Sequence, residues 1–389
     1  MSDGSIVYSI FLIFTGAAVV ATAALYLRQS LLVAYMVLGM VLGPGMLGLV
    51  EDTEVLEEAA HIGIMFLLFL LGLDLQPQEL LRRARSATLV TLVSSTVFAT
   101  VGGLVAYGFG FSGQESLLIG AAMMFSSTII GVKLLPTTAL HHQRAGEIII
   151  SVLLLQDLMA IVVLLLLEGY GREMAVMKDI ALLMLTLPAL IAFAFAFSRW
   201  VLIPLIRRFN KIHEYIFLVA IGWCLGMAEL GASLGLSTEV GAFLAGVALA
   251  TSPIALYIAQ SLRPLRDFFL VLFFFALGAG LDPALVGAVA VPAVVMASLA
   301  VGLKPPVYRA LLVRTGEKPG LAGEIGVRLG QTSEFSLLIA VLALDARFIG
   351  EAAAYLIHIT TLLTFVLSSY WVVLTYPTPI ALSDRLRRD

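Results

Sequence analysis

Charge is scarce in this sequence. Of 389 residues only 13% are Asp, Glu, Lys or Arg, about half the share of a soluble globular domain. With 60% of its residues hydrophobic, the chain has too little polar surface to cover its apolar part in water, which excludes a soluble enzyme. Cysteine is almost missing: Cys224 alone, within an apolar run, rules out a disulfide framework and argues against a thiolate metal site. No basic excess exists either. A net charge of −3 and a pI near 6.0 give nucleic acid no electrostatic footing as a partner. There is no phosphate-cradling glycine loop, nucleophile elbow or zinc-binding helix, so neither enzymatic chemistry nor a cofactor is expected. His61, His213 and His358 stand alone in the sequence, and His141-His142 falls between apolar runs; none has metal-ligand spacing.

What the chain has is long apolar runs, with a mean hydropathy of +1.04. A membrane crossing needs roughly 20 such residues. Thirteen stretches qualify: 5–27, 30–49, 60–76, 86–110, 116–135, 146–167, 178–200, 213–231, 238–252, 267–281, 284–308, 321–343 and 352–375. The first has no basic flank and no clear cleavage site, so it reads as a span and not as a removed signal. The sequence thus predicts an all-α polytopic membrane protein, a single transmembrane domain over 1–389. Lysine and arginine orient it. With the N-terminus outside, Arg28, Arg82, Arg83, Arg85, Lys133, Arg144, Arg199, Arg207, Arg208 and Lys211 fall on the inner side. So do Arg263, Arg266, Arg309, Arg314, Lys318, Arg385, Arg387 and Arg388, against only Arg172, Lys178 and Arg347 outside. That bias predicts a cytoplasmic C-terminus.

An odd number of spans suggests two halves of opposite orientation. The third span ends in Phe69-Leu70-Leu71-Gly72-Leu73-Asp74-Leu75-Gln76-Pro77, and the tenth in Phe275-Ala276-Leu277-Gly278-Ala279-Gly280-Leu281-Asp282-Pro283. Gly39, Gly43 and Gly45 in the second span are answered by Gly241, Gly246 and Ala250 in the ninth. The expectation is inverted repeats of six over about 5–167 and 213–375, joined by a linker helix at 178–200. In the fifth span of each half, polar residues interrupt the apolar run: Phe125-Ser126-Ser127-Thr128 and Gly330-Gln331-Thr332-Ser333-Glu334-Phe335. Unwound backbone at membrane depth is tolerated only against protein or water, and paired breaks point to a transport site.

Ionisable groups inside a membrane are costly and are kept mainly for function. Asp157 is the clearest, in the middle of the sixth span beside Gln156, with no other charge for about ten residues on either side. A buried carboxylate can hold a proton or a monovalent cation but not both comfortably, and that competition is itself an exchange mechanism. Ser127, Thr128 and Gln156 are candidate oxygen ligands beside it. Lys304, followed by Pro305-Pro306 and expected to interrupt the eleventh span, is the natural counter-charge, with snorkelling to the inner interface the competing explanation. Arg328 and Glu334 lie six residues apart, poorly phased for a direct pair. They are expected to support the second break, with Gln331 and Thr332, or to pair elsewhere.

These residues carry a resemblance. Val37-Leu38-Gly39-Met40-Val41-Leu42-Gly43-Pro44, Met65 to Leu75, Ser126-Ser127-Thr128, Leu155-Gln156-Asp157, Gly241 to Val247 and Gly330 to Phe335 run in one order along the chain. Together they resemble the monovalent cation:proton antiporter-2 family, in particular the membrane part of the Kef-type potassium/proton antiporters. The resemblance implies a sodium/proton antiporter-like fold with crossed discontinuous helices, a core of spans at about 86–167 and 284–375, and elevator-like alternating access. It implies a homodimer in a lipid bilayer, the bacterial inner membrane fitting best, that exchanges K+ or Na+ for H+, a gated K+ efflux channel on the same scaffold being the alternative. Asp157 matches the family's cation-binding aspartate. A glutamine at 156, where electrogenic sodium antiporters carry a second aspartate, implies electroneutral one-for-one exchange leaning toward potassium. Kef-type relatives continue into a cytosolic nucleotide-binding domain; such a regulatory domain or subunit is not contained in the present chain.

Overall fold

A computed structural model describes residues 6–27, 29, 31–50, 54–74, 77–133, 144–170, 176–209, 212–234, 236, 238–250 and 252–378. Arg28, Arg172, Lys211, Arg385, Arg387, Arg388 and the His141-His142 pair lie outside the described residues. So do the side chains of Asp74, Arg82, Arg83, Arg85, Lys133 and Lys178.

The described elements are helices. They run α1 (Ile6–Tyr26), α2 (Leu31–Leu42), α3 (Glu54–Asp74), α4 (Pro77–Gly108), α5 (Gly113–Met124), α6 (Thr128–Lys133) and α7 (Arg144–Tyr170). Next comes α8 (Val176–Phe197), which passes through a π-helical turn at Ser198–Leu202 into Ile203–Arg208. Then follow α9 (His213–Ser233), α10 (Thr238–Ala250), α11 (Ile254–Ala279), α12 (Pro283–Arg314), α13 (Pro319–Arg328), α14 (Glu334–Asp345) and α15 (Glu351–Thr375). Seven of the helical segments are long and apolar enough to cross a bilayer; shorter apolar helices lie at Leu31–Leu42, Glu58–Leu70 and Val240–Ala250.

Two expectations need correction. α11 begins at Ile254, ahead of the expected 267, because the stretch holding Arg263 and Arg266 is amphipathic: Ala255, Ile258, Ala259 and Leu262 are buried at helical spacing while Arg263 is exposed. α12 is not interrupted at Lys304; it continues through Pro305 and Pro306 to Arg314. A helix can keep such prolines in a membrane when a neighbouring helix covers the freed backbone. α13 packs closely against this stretch, since a Cβ on Gly326 would stand 2.5 Å from the Pro305 carbonyl oxygen.

The helices pack as two groups. α1–α3 pack with α8–α11, and α4–α7 pack with α12–α15; among the more extensive contacts only α2 with α15 joins them. The first group is drawn together by glycine. At Gly39 of α2 a Cβ would lie 2.0 Å from the Phe275 oxygen, and at Gly278 of α11 it would lie 2.0 Å from that of Met36. Between α3 and α10 the corresponding approaches are Gly72 to the Phe243 oxygen, 2.5 Å, and Gly246 to the Phe69 oxygen, 2.1 Å. Such distances leave no room for a side chain, which is how small residues let membrane helices touch backbone to backbone. The π-helical turn is anchored to the same group, with Ser198 Oγ donating to the Ala248 carbonyl at 3.0 Å.

Candidate functional site

The second group holds the site. α5 ends at Met124, residues 125–127 are extended, and α6 restarts at Thr128; α13 ends at Arg328 and α14 restarts at Glu334. The two interruptions lie against each other. Ser126 Oγ donates to the Leu329 carbonyl at 2.9 Å, Gln331 Nε2 to the Ser127 carbonyl at 3.3 Å, and Ser336 Oγ to the Ala122 carbonyl at 2.6 Å. The bonds to Leu329 and Ala122 take up carbonyls at the ends of the broken helices, as a buried backbone requires; the Ser127 carbonyl also accepts the Gly131 N–H at 3.0 Å.

Charge follows the same logic. A helix carries partial negative charge at its C-terminal end and partial positive charge at its N-terminal end. Lys304, 1% exposed, donates from Nζ to the carbonyls of Phe125 at 2.6 Å and Gln331 at 2.8 Å, beyond the C-terminal ends of α5 and α13. The Phe98 ring lies 5.4 Å from the same ammonium, adding a cation–π contact. Lys304 therefore balances the carbonyl-rich side of the crossing. Among the described residues it is not ion-paired with Asp157 in this conformation.

Asp157 sits on the other side. It is 1% exposed, on α7, and Thr128 Oγ1, at the first residue of α6, reaches its two carboxylate oxygens at 3.1 and 3.3 Å. Glu334, the first residue of α14 and also buried, is the charged group that acts on Asp157 electrostatically. The carboxylates thus stand at the N-terminal ends of α6 and α14, and the ammonium beyond the C-terminal ends of α5 and α13.

The remaining expected residues divide. Gln156 is fully buried, but its amide is engaged: Oε1 accepts from the Ser126 N–H at 3.0 Å, and Nε2 donates to the Met124 carbonyl at 2.9 Å and to the Tyr308 hydroxyl at 2.8 Å. It acts as a substitute peptide group that closes the end of α5. Ser127 Oγ accepts from the Ile130 N–H and opens α6. Thr332 pairs with Thr364 through both its N–H, 3.1 Å, and its hydroxyl, 2.7 Å. Arg328 pairs with Glu324 on its own helix at 2.8 Å and donates to the Pro377 carbonyl. It secures the end of α13.

Sequence reasoning missed Tyr308, Phe98, Thr364 and Ser368, whose Oγ donates to Gln331 Oε1 at 2.9 Å. Only Tyr308 left a signal, a hydroxyl one helical turn after Lys304 on the same face. His213, read as isolated, has its ring against the Tyr257 hydroxyl.

With this geometry in hand, comparison with known proteins is decisive. The family described as sodium/hydrogen exchanger, transmembrane, matches residues 10–375. This chain belongs to that family. The iron transporter MagA of Paramagnetospirillum magneticum is 27% identical over 366 residues, covering 92% of this chain and 84% of MagA. K(+) efflux antiporter 4 of Arabidopsis thaliana is 29% identical over 351 residues, 87% of this chain and 58% of its own. The putative K(+) efflux antiporter KefB of Alkalimonas amylolytica is 29% identical over 379 residues, 95% of this chain and 56% of its own. The chain therefore spans little more than half the length of these two antiporters. In fold it is similar to the sodium proton antiporter MjNhaP1 from Methanocaldococcus jannaschii, with a TM-score of 0.70, 17% identity and coverage of 93% and 94% of the two chains.

Proposed function

We propose that this protein is a secondary active monovalent cation/proton antiporter in which Asp157 carries either a proton or the cation. The carrying observation is a buried carboxylate at the crossing of two interrupted helices, facing a hydroxyl. There a cation can replace the proton, and the freed oxygens of Thr128 and the unwound backbone can complete its coordination. K+ is the preferred cation, in keeping with the printed names of the efflux antiporters it is similar to; Na+ is the alternative, in keeping with MjNhaP1. With a neutral glutamine at 156 in place of a second aspartate, Asp157 is the group that takes the proton, next to the buried Glu334. Exchange is then one cation for one proton, without net charge movement.

The division into a glycine-packed group and a polar-laced group supports elevator-like alternating access, the second group moving against the first. The inverted repeats are supported by a correspondence in the glycine contacts. Gly39 on Phe275 matches Gly246 on Phe69, and Gly278 on Met36 matches Gly72 on Phe243, at the same residue offsets in each half. On this reading thirteen spans cross the bacterial inner membrane, N-terminus out, as a homodimer. A cytosolic regulatory domain or subunit would act from the inner side.

The test is a pH-dye exchange assay in proteoliposomes with K+, Na+, Li+ and Rb+ in turn. Asp157→Asn is expected to reduce exchange to background while the protein keeps its elution volume and Tm. Undiminished exchange by that variant overturns the assignment.

A further inference from the structure

Thr128 and Glu334 occupy the same place in the two interruptions. Each is the first residue of the helix that restarts after its break. Each follows a serine whose hydroxyl opens that helix: Ser127 Oγ accepts from the Ile130 N–H and Ser333 Oγ from the Phe335 N–H, both at 3.1 Å. Thr128 gives its hydroxyl to Asp157, and Glu334 brings a carboxyl group to the same crossing, 5% exposed. The chain on both sides of Glu334 is tied to the first break. Gln331, three residues before it, donates to the Ser127 carbonyl, and Ser336, two residues after it, donates to the Ala122 carbonyl. The other charges described on and around α7 are engaged elsewhere. Arg328 of α13 pairs with Glu324, Arg144 at the start of α7 pairs with Glu317 and Glu147, and Asp345 closes the far end of α14. Lys304 of α12 bonds the Phe125 and Gln331 carbonyls, and Tyr308 bonds the Gln156 amide. The described side chains of α4 and α6 carry no charge. Glu334 is the charged group that acts on Asp157.

We propose that Glu334 is the second carboxylate of the cation site, a fixed negative charge that the bound cation faces together with Asp157. This inference rests on the antiport reading and deepens it. An acid buried in a membrane is costly and is kept mainly for function. Its position supports the charged form: the N-terminal end of α14 carries partial positive charge, and the Lys304 ammonium stands on the other side of the same crossing. The exchange balances. With a proton on Asp157, the two groups together carry one negative charge. With a cation in place of that proton, two carboxylates face one positive charge, and the sum is again one negative charge. The pair therefore looks alike to the membrane in both loaded states. The empty state does not, because two bare carboxylates in one buried site repel each other. That penalty gives Glu334 a task that a lone aspartate performs poorly: it discourages the unloaded site from crossing, and so couples the cation to the proton.

The experiment measures exchange in proteoliposomes holding the whole chain, against K+ concentration and against pH. Glu334→Gln keeps the size of the side chain and removes its charge. Its KM for K+ is expected to rise about tenfold or more, with a smaller effect on the maximal rate. Its pH profile should move toward acid by about one unit, because loss of a neighbouring negative charge eases proton loss from Asp157. Glu334→Asp keeps the charge and is expected to retain most of the K+ affinity. Wild-type KM and pH profile in Glu334→Gln would overturn the proposal, as would a Glu334→Asp as impaired as Glu334→Gln with a wild-type Tm. A second measurement needs no variant. Wild-type protein saturated with K+ in detergent should release about one proton per chain; release of two would show that Glu334 titrates as well and is not a fixed charge. Asp157→Asn separates the two readings. If that variant is inactive while Glu334→Gln is normal, only the second carboxylate fails; if Asp157→Asn still exchanges, the antiport site itself is wrong.

Discussion

The two helix groups differ at their centres. In α1–α3 with α8–α11, glycines bring backbones together where a side chain would not fit. In α4–α7 with α12–α15, the contacts at the centre are side chains standing in for lost helical hydrogen bonds. Such bonds can be exchanged for others of similar energy. On the proposed antiport mechanism, the first group is the static one and the polar group is the one that binds, releases and moves. Among the described residues, α2 with α15 and Tyr355 with the turn before α12 join them.

The comparison can be broken most severely in the glycine-packed group. Gly278→Val is expected to cost about 3 kcal/mol or more, since even its Cβ meets the Met36 oxygen. Loss of the folded protein on size exclusion, or a large drop in Tm, would register it. Gly72→Val should behave alike, and a large inequality between the two would count against matched roles in the two halves.

In the polar group the effects are smaller and fall on transport. Gln331→Leu strands the Ser368 hydroxyl and removes one of two hydrogen bonds to the Ser127 carbonyl, at about 1–3 kcal/mol. A lower Tm with slower exchange is expected; an unchanged rate would mean that the crossing does not move as a unit. Tyr308→Phe removes one bond to the Gln156 amide, about 1 kcal/mol. It should lower Tm slightly and leave the cation order K+, Na+, Li+, Rb+ unaltered. A changed order would show that Gln156 ligates the cation and does more than close α5.

The smallest effect lies at the edge. Burial acts upward on the Glu115 carboxyl, but the Ser112 N–H and hydroxyl and the Gly350 N–H outweigh it and hold the group below the usual glutamate range. A depressed folded value stabilises above that range, and the contribution fades as pH falls through the lowered value. Glu115→Gln should therefore lose a little stability near neutrality and show less further loss on acidification, read as Tm against pH.

What the sequence disclosed follows from this contrast. Both interruptions were legible, because hydroxyls, a glutamine and a glutamate in the middle of apolar runs have no use in an unbroken membrane helix. Asp157 was legible for the same reason. The role of Gln156 was not: beside an aspartate a glutamine reads as a ligand, and only the positions of Met124, Ser126 and Tyr308 reveal a helix closure. Thr364, Ser368 and Phe98 were silent because serine, threonine and phenylalanine are ordinary in apolar helices, and their partners come from other elements. Lys304-Pro305-Pro306 misled, since prolines predict a break, yet the helix runs on with α13 packed closely against it.

The central claim is that one carboxylate exchanges a proton for a cation. Its most direct measurement is proton release from purified protein, in weakly buffered detergent solution, when KCl replaces a bulky organic chloride at constant ionic strength. About one proton per chain is expected from the wild type, and none from Asp157→Asn. Saturable potassium binding with no proton released, or equal release from the variant, would contradict the account.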